Sequence, residues 1–401
     1  MFRWLIVVLS CLCLPMSLSA CAGSSRVGNF SQFPGFAEYF NDHPRRNSVA
    51  TQTEQVLLHK HRPRFFLPDG HVGLVDFYDD YIANGTLTTG DGTFRSDQVD
   101  SALLNQVKND PAAVFVHQQR PGLARPTVTR VFARVDQAPV SVGQRPDRLF
   151  TFLSYHAVFR HSGIVAGVRW WQALALRLVG DLDDWHQLDN FTTATVVLNE
   201  SLRPVALLLQ QHNGAHTYVF GERVIGRNHQ LSGGTSAESA VELAADERVV
   251  IDVAIRANEL YPHQVGRRER PAVRFMNAKT LGYLMGLEPQ PWTAAPDITD
   301  PHHEADYALA FLPADDAFYS FAGYLGARHA WSGREGPPGA DYNTWPTLKP
   351  LGLQLLIGYW REGNAADFSR IANALRANPD PAWAARAQAA EFGATLARLG
   401  L

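Results

Sequence analysis

The residues that most suggest chemistry lie between Gly180 and His186, where Asp181, Asp183 and Asp184 precede the imidazole. Three carboxylates and an imidazole within six residues cannot all be buried without a cation or strong hydrogen-bond donors. In an extended segment Asp184 and His186 point to the same face, because side chains alternate with a period of two. The spacing therefore predicts a polar site where this segment enters a strand.

This segment could hold a divalent cation. Asp181 from the preceding turn and His212 from the adjacent hairpin strand would complete a ligand set with Asp184 and His186. Hard oxygen ligands favour Ca²⁺, Mg²⁺ or Mn²⁺, while the added imidazoles also admit Zn²⁺, which we rank behind these ions. The alternative is that the acids are solvated loop residues before a strand and that His212 simply lies in the sheet.

Two further clusters contain ligand-type residues. The segment from Asp300 to Asp306 holds adjacent histidines and reads as a loop, either solvated or metal-binding. Asp76, Asp79 and Asp80 form an acidic patch, which we expect to be a charged edge that discourages strand pairing.

Several familiar catalytic motifs are missing from the sequence. There is no Gly-x-Ser-x-Gly elbow, no His-Glu-x-x-His and no Gly-rich phosphate loop. The formal net charge of −3 does not suggest nucleic acid as a partner. We therefore assign no catalytic residue, favour a binding protein over an enzyme, and expect no nucleic-acid partner.

The N-terminus reads as an export signal. Arg3 is followed by an apolar run that is short for a membrane-spanning helix. The sequence from Leu18 to Cys21 then resembles the lipobox of bacterial lipoproteins, in which the cysteine thiol takes up the lipid. Ala22 stands where Asp would favour retention in the inner membrane, so we expect an outer-membrane lipoprotein. An ordinary signal peptide cleaved after Ala20, or an uncleaved anchor, is the alternative.

The positions of the three cysteines agree with an exported lipoprotein. Cys11 and Cys13 lie in the predicted signal peptide, and Cys21 would carry the lipid. The mature chain would then hold no free thiol and no disulfide, which excludes cysteine nucleophiles and thiolate metal sites.

Short segments that are rich in Val, Phe and Thr and have a period of two predict the β-strands that position the acidic segment. The predicted strands include residues 114–116, 129–135, 149–155, 192–198, 205–212, 217–220, 248–254 and 271–276. The connection from Asn199 to Pro204 is typical of an antiparallel hairpin. An amphipathic helix is expected from Gly163 to Val179, and two alanine-rich helices near the C-terminus.

These elements predict a mainly β protein with helices (α+β), built as an antiparallel, jelly-roll-like β-sandwich. We divide the chain into a signal peptide (1–20), a tether (21–53), the sandwich domain (54–286) and a loop-rich, helical C-terminal extension packed on it (287–401).

The segment from Gly180 to His186 resembles the Gly-His-Arg-His-Asp-Trp-Glu motif of necrosis- and ethylene-inducing-like proteins, and a related motif of Vps62-related proteins. Gly180, Asp184 and Trp185 are identical, whereas Asp181 replaces a His and His186 replaces the Glu. The resemblance implies a β-sandwich with a divalent metal that engages sugar headgroups of lipids. It implies that Asp181, Asp184 and His186 are ligands and that Trp185 supports them.

The leading hypothesis is a lipid-anchored envelope protein whose metal-supported sandwich binds a sugar or lipid headgroup. Asp183 and Trp185 would support the site. One alternative is a metal-dependent hydrolase of a phosphoester or glycan, in which a ligand water attacks and His186 or His212 acts as base. The other is a scaffold lipoprotein without a small ligand.

Overall fold

The computed structural model describes the central part of the chain and separated pieces of the rest. The described residues are 49–68, 70–71, 73–110, 113–117, 128–160, 190–211, 214–220, 230–232, 246, 248–254, 258–263, 273–274, 293–294, 302–313, 315–321, 324–325, 388–389, 392–393, 395–397 and 399–401. Cys21, the predicted helix from Gly163 to Val179, and the residues from Asp181 to His186 lie outside them, as does His212.

The largest sheet has seven strands in the order β10-β9-β8-β7-β6-β5-β16. Its strands are β5 (Arg130–Val140), β6 (Arg148–Val158), β7 (Phe191–Leu198), β8 (Pro204–Gln211), β9 (Gly214–Phe220), β10 (Gln230–Ser232) and β16 (Ala308–Ala310). Neighbouring strands from β5 to β10 are antiparallel, and β16 adds a parallel strand at the edge beside β5.

A second sheet has four strands in the order β12-β11-β1-β15. It consists of β1 (Arg64–Pro68), β11 (Val250–Val253), β12 (Leu260–Pro262) and β15 (His302–Glu304). The third sheet runs β17-β4-β2-β3, from β2 (Gly85–Thr88), β3 (Arg95–Ser96), β4 (Val114–His117) and β17 (Tyr324–Leu325). Strands β13 (Val273–Arg274) and β14 (Thr293–Ala294) pair with each other.

Short helical elements connect the strands. They are α1 (Gln52–Lys60), a π-helical turn (Phe77–Tyr81), a 3₁₀ turn (Ile82–Asn84), α2 (Ser101–Val107) and α3 (Ala317–Ser320). Described residues between 388 and 397 are also helical, as expected for the end of the chain. The described structure is therefore mainly strand with some helix, which confirms the predicted fold class at this coarse level.

The core is divided between the two faces of the seven-stranded sheet. One face packs against the four-stranded sheet that contains β1 and β11. In this core Val131, Leu153 and Val196 of the large sheet are buried together with Phe65 and Ile251 of the smaller one. The opposite face is covered by two separate apolar clusters, one around α3 and one around the C-terminal helical residues. Burial of these apolar faces supplies the main stabilisation of the sheet, at about 25 cal/mol per Å² removed from water.

The strand predictions are confirmed where the structure describes them. All eight residues of β7 are buried, as a Val- and Thr-rich strand in the middle of a sheet requires. The β7–β8 hairpin forms as expected, because the Asn199 side chain accepts hydrogen bonds from the backbone N–H groups of Ser201 and Arg203, each at 3.0 Å. Leu202 takes a positive φ of 55° to close this turn.

Helix α1 was not predicted from the sequence, and it begins inside the segment assigned to the tether. Thr51 caps it, because its side chain accepts a hydrogen bond from the backbone N–H of Glu54. In return, the Glu54 carboxylate accepts a hydrogen bond from the backbone N–H of Thr51. This capping box is a sequence signature of a helix start. Leu58 is the fully buried residue of the helix, and it packs in the core between the seven-stranded sheet and the sheet that contains β1 and β11.

Candidate functional site

The structure brings the two ends of the acidic connection together without describing its middle. Strand β6 ends at Val158 and β7 begins at Phe191, and the Phe159 backbone N–H donates to the Asn190 carbonyl oxygen at 2.8 Å. Gln211, which precedes His212, ends β8 at the same end of the sheet, because Leu209 pairs with Ala194 near the start of β7. The predicted ligands Asp181, Asp184, His186 and His212, and the supporting residues Asp183 and Trp185, lie outside the described residues.

A group of polar side chains surrounds this end of β6 and β7. We call it the end cluster; its members are Asp76, Asp80, Asn84, Arg130, Arg160, Tyr81, His117 and Asn190. The π-helical turn supplies its centre. π-Helical turns are rare in proteins, and those that exist are often found at functional sites. We therefore take the end cluster as the candidate site of the described structure.

Asp76 begins the π-helical turn and is completely buried. Its carboxylate accepts hydrogen bonds from the backbone N–H groups of Tyr78 and Asp79, at 3.0 and 2.8 Å. The Arg130 guanidinium binds the same carboxylate at 2.8 Å and also reaches Asp79 at 2.6 Å. Hydrogen bonding to Asp76 raises the pKa of Arg130 above its ordinary value. The buried charge of Asp76 is thus neutralised by donors on several sides.

Asp80 ties the turn to the start of the acidic connection. The Nη2 atom of Arg160 lies 2.5 and 2.6 Å from the two carboxylate oxygens of Asp80. The Asn84 amide donates to one of these oxygens at 2.9 Å. Because Arg160 is the second residue after β6, this ion pair fixes the point at which the connection leaves the sheet.

Tyr81, at the end of the π-helical turn, contacts His117 and Asn190. The Tyr81 and His117 rings stack at 4.5 Å with an angle of 7°, and His117 Nδ1 lies 3.0 Å from the Tyr81 carbonyl oxygen. The Asn190 amide donates to the Tyr81 hydroxyl at 3.3 Å. Within the described part of the chain, Asn190 Oδ1 and Arg160 Nε are buried and have no hydrogen-bond partner. One acceptor and one donor are therefore left open at the two ends of the connection.

The acidic patch is a correction to the sequence analysis. Asp76 and Asp80 were expected on a charged strand edge, yet both are buried, and Asp79 alone is exposed. The reason is tertiary, because Arg130 and Arg160 arrive from β5 and from the end of β6 to compensate the acids. With their oxygens occupied by arginines, these acids do not form a cation site. Among the residues that the structure describes, no group of three or more His, Cys, Asp and Glu side chains could hold a metal ion.

The histidine-rich segment near Asp306 is a strand rather than the expected loop at its centre. Residues 302–304 form β15, and the Glu304 carboxylate receives two hydrogen bonds from Arg64, at 3.0 and 2.6 Å. These bonds lower the pKa of Glu304 below its ordinary value. His303 and Asp306 are exposed. The described part of this segment serves sheet pairing.

Asp252 and His263 form a buried pair that the sequence analysis missed. His263 Nδ1 lies 2.7 Å from Asp252 Oδ1, and the ring of Phe66 meets the imidazole edge-on at 4.9 Å. The available signal was the acid itself, since a carboxylate inside a strand with four buried residues requires a partner.

Comparison of the chain with models of protein families, with curated proteins and with solved structures gives no match. In the parts of the chain that the structure describes, no helix has both the length and the apolar character needed to cross a membrane.

Proposed function

We propose that the protein is a lipid-anchored envelope lipoprotein that binds a sugar or lipid headgroup at the end of β6 and β7. Cys21 carries the lipid, and the outer membrane is the destination. The mainly β domain is a jelly-roll-like sandwich in this proposal, and the binding function is non-catalytic.

One observation of the described structure supports this location. Arg160 and Asn190 flank the acidic connection and each keep a buried polar atom without a partner in the described residues. Buried polar groups are normally hydrogen-bonded, so an open donor and an open acceptor favour a hydroxyl-bearing ligand beside them. The last described residue before His212 lies at the same end of the sheet.

The acidic segment would add a divalent metal to this site. Asp181, Asp184, His186 and His212 are the proposed ligands, with Asp183 and Trp185 in support. The two carboxylates suit Ca²⁺, Mg²⁺ or Mn²⁺, and the two imidazoles also admit Zn²⁺, which we rank behind the harder ions. The metal would orient headgroup hydroxyls, while Arg160 and Asn190 would bind them from the sheet.

Isothermal titration calorimetry on the full chain in detergent tests this proposal with Ca²⁺, Mg²⁺, Mn²⁺ and Zn²⁺ in turn. The expected result is one binding event per chain for at least one ion, and its loss in Asp184→Asn. Asp306→Asn is the matched control, because Asp306 is an exposed acid remote in sequence from the motif. Absence of heat for every ion, or equal binding by Asp184→Asn, would contradict the proposal.

The anchor is tested separately. Cys21→Ser removes the thiol that takes up the lipid, so the protein should leave the membrane fraction and be recovered in the periplasmic fraction. Retention of the Cys21→Ser protein in membranes would contradict lipid anchoring.

A further inference from the structure

The end of the seven-stranded sheet opposite the end cluster is formed by two hairpin turns. Residues 141–147 connect β5 to β6, and residues 199–203 connect β7 to β8. Because β6 pairs with both β5 and β7, the two turns lie side by side. We call residues 141–149 and 199–203 the hairpin end. Its residues are exposed, apart from the half-buried Val142 and Asn199.

One of these turns contains a leucine in a conformation that leucine disfavours. The φ angle of Leu202 is 55°, in the left-handed region where the Cβ atom crowds the following carbonyl oxygen. Among the described residues, the other non-glycine residue with a positive φ is Asn258, and asparagine tolerates this region better. The Leu202 side chain is 42% exposed, so burial in the core does not explain it. Glycine or asparagine would close the turn at a lower cost, which indicates that the leucine side chain has a role outside the fold.

A second exposed leucine lies next to this turn. The pairing of β6 with β7 ends at Thr151 and Leu198, and Leu149 lies two residues beyond Thr151 in the direction of the turn. Leu149 is 49% exposed, and its partner on β5, Pro139, is exposed as well. In the described part of the chain, Leu149 and Leu202 are the two exposed leucines. Single apolar residues on a surface are ordinary, but both of these lie at one end of the sheet.

The charged residues of the hairpin end favour an anionic partner. They are Arg145, Arg148, Arg203, Asp147 and Glu200, all of which are exposed. Three guanidinium groups and two carboxylates give this surface a formal charge of +1, whereas the whole chain has −3. Exposed apolar side chains beside arginines suit a membrane interface, because the apolar groups can enter the lipid while the cations meet the headgroup phosphates.

We propose that the hairpin end is a docking surface for a bilayer that contains anionic lipids. Leu149 and Leu202 would enter the boundary between headgroups and acyl chains. Arg148 and Arg203 would bind headgroup phosphates. This surface and the end cluster lie at opposite ends of the eleven-residue strand β6. The inference therefore rests neither on the proposed metal nor on headgroup binding at the end cluster.

Hydrogen–deuterium exchange of the full chain, followed by mass spectrometry, tests this surface locally. The protein is reconstituted into vesicles of phosphatidylcholine alone, or of phosphatidylcholine and phosphatidylglycerol in equal amounts, without divalent metal. We expect slower exchange of residues 141–149 and 199–203 in the vesicles that contain phosphatidylglycerol, and equal exchange of residues 77–84 in both. Because the comparison is local, its result depends neither on the lipid at Cys21 nor on the segment that brings the protein to the vesicle.

Leu202→Asn is the decisive variant, because asparagine adopts a positive φ more readily and replaces the apolar side chain by a polar one. It should remove the slower exchange of the hairpin end. Val128→Asn is the matched control, since Val128 is 54% exposed and lies two residues before β5, at the opposite end of the same sheet. The Val128→Asn protein should keep the slower exchange in full.

Melting temperatures in detergent separate a docking role from a structural one. If the leucine side chain serves only an external partner, Leu202→Asn should melt at or above the temperature of the wild type, because the backbone strain is relieved. Four results would overturn the proposal: exchange of the hairpin end that is the same in both kinds of vesicle, slower exchange that persists in Leu202→Asn, its loss in Val128→Asn, or a lowered melting temperature in Leu202→Asn.

Discussion

Replacing Arg160 by Met should destabilise the protein measurably, because it leaves the buried Asp80 carboxylate without its cation. Asp80 is 3% exposed, and Arg160 is the guanidinium that contacts both of its oxygens. Breaking a buried ion pair from one side costs about 3–5 kcal/mol. The Arg160 side chain is 22% exposed and the Asn84 hydrogen bond remains, so we expect a lower cost, about 2–4 kcal/mol.

Urea unfolding of four proteins measures this cost: wild type, Arg160→Met, Asp80→Asn and the double variant. Removing the charge of Asp80 should recover part of the loss, so the two substitutions should couple by about 1–3 kcal/mol. Arg95→Met is the control, since Arg95 is exposed on β3 and its loss should change stability by no more than about 0.5 kcal/mol. Additive effects, or equal costs for Arg160→Met and Arg95→Met, would refute the compensation of Asp80 by Arg160.

Three further substitutions probe other parts of the fold. Thr51→Ala removes the capping box of α1 and should lower the free energy of unfolding by about 1 kcal/mol; an unchanged urea midpoint would contradict the cap. Gly85→Ala would place a Cβ 2.0 Å from the Phe115 ring, so it should cost about 1–3 kcal/mol or prevent folding, and full stability would show that the ring can move. Arg64→Gln should cost at most about 1 kcal/mol at pH 7, because its pair with Glu304 is partly exposed. Binding to Arg64 lowers the pKa of Glu304 from its ordinary value of 4.5, so this difference should vanish as the pH falls through the lowered pKa; a difference that persists in acid would contradict the ion pair.

The strands could be predicted because the residue types within each strand indicate that it is buried. Val, Phe, Leu, Ala and Tyr make up more than half of β5 and β6, and β7 is rich in Val and Thr. The Asn199 turn is also local, since its side chain binds the backbone two and four residues onward. Such features need no information from distant parts of the chain.

The end cluster could not be predicted, because its acids are compensated by residues far away in sequence. Asp76 meets Arg130 and Asp80 meets Arg160 only after the strands have paired. Without those partners, the rule that buried carboxylates are costly favours an exposed patch.

The central claim is that the acidic segment holds a divalent metal at the end of β6 and β7. Anomalous X-ray diffraction from crystals of the protein grown with Mn²⁺ tests it most directly. The account predicts one strong peak within about 2.6 Å of oxygen or nitrogen atoms of Asp181, Asp184 and His186, beside Asn190. An occupied Mn²⁺ site elsewhere, or no peak at this segment in crystals that show it ordered, would contradict the account.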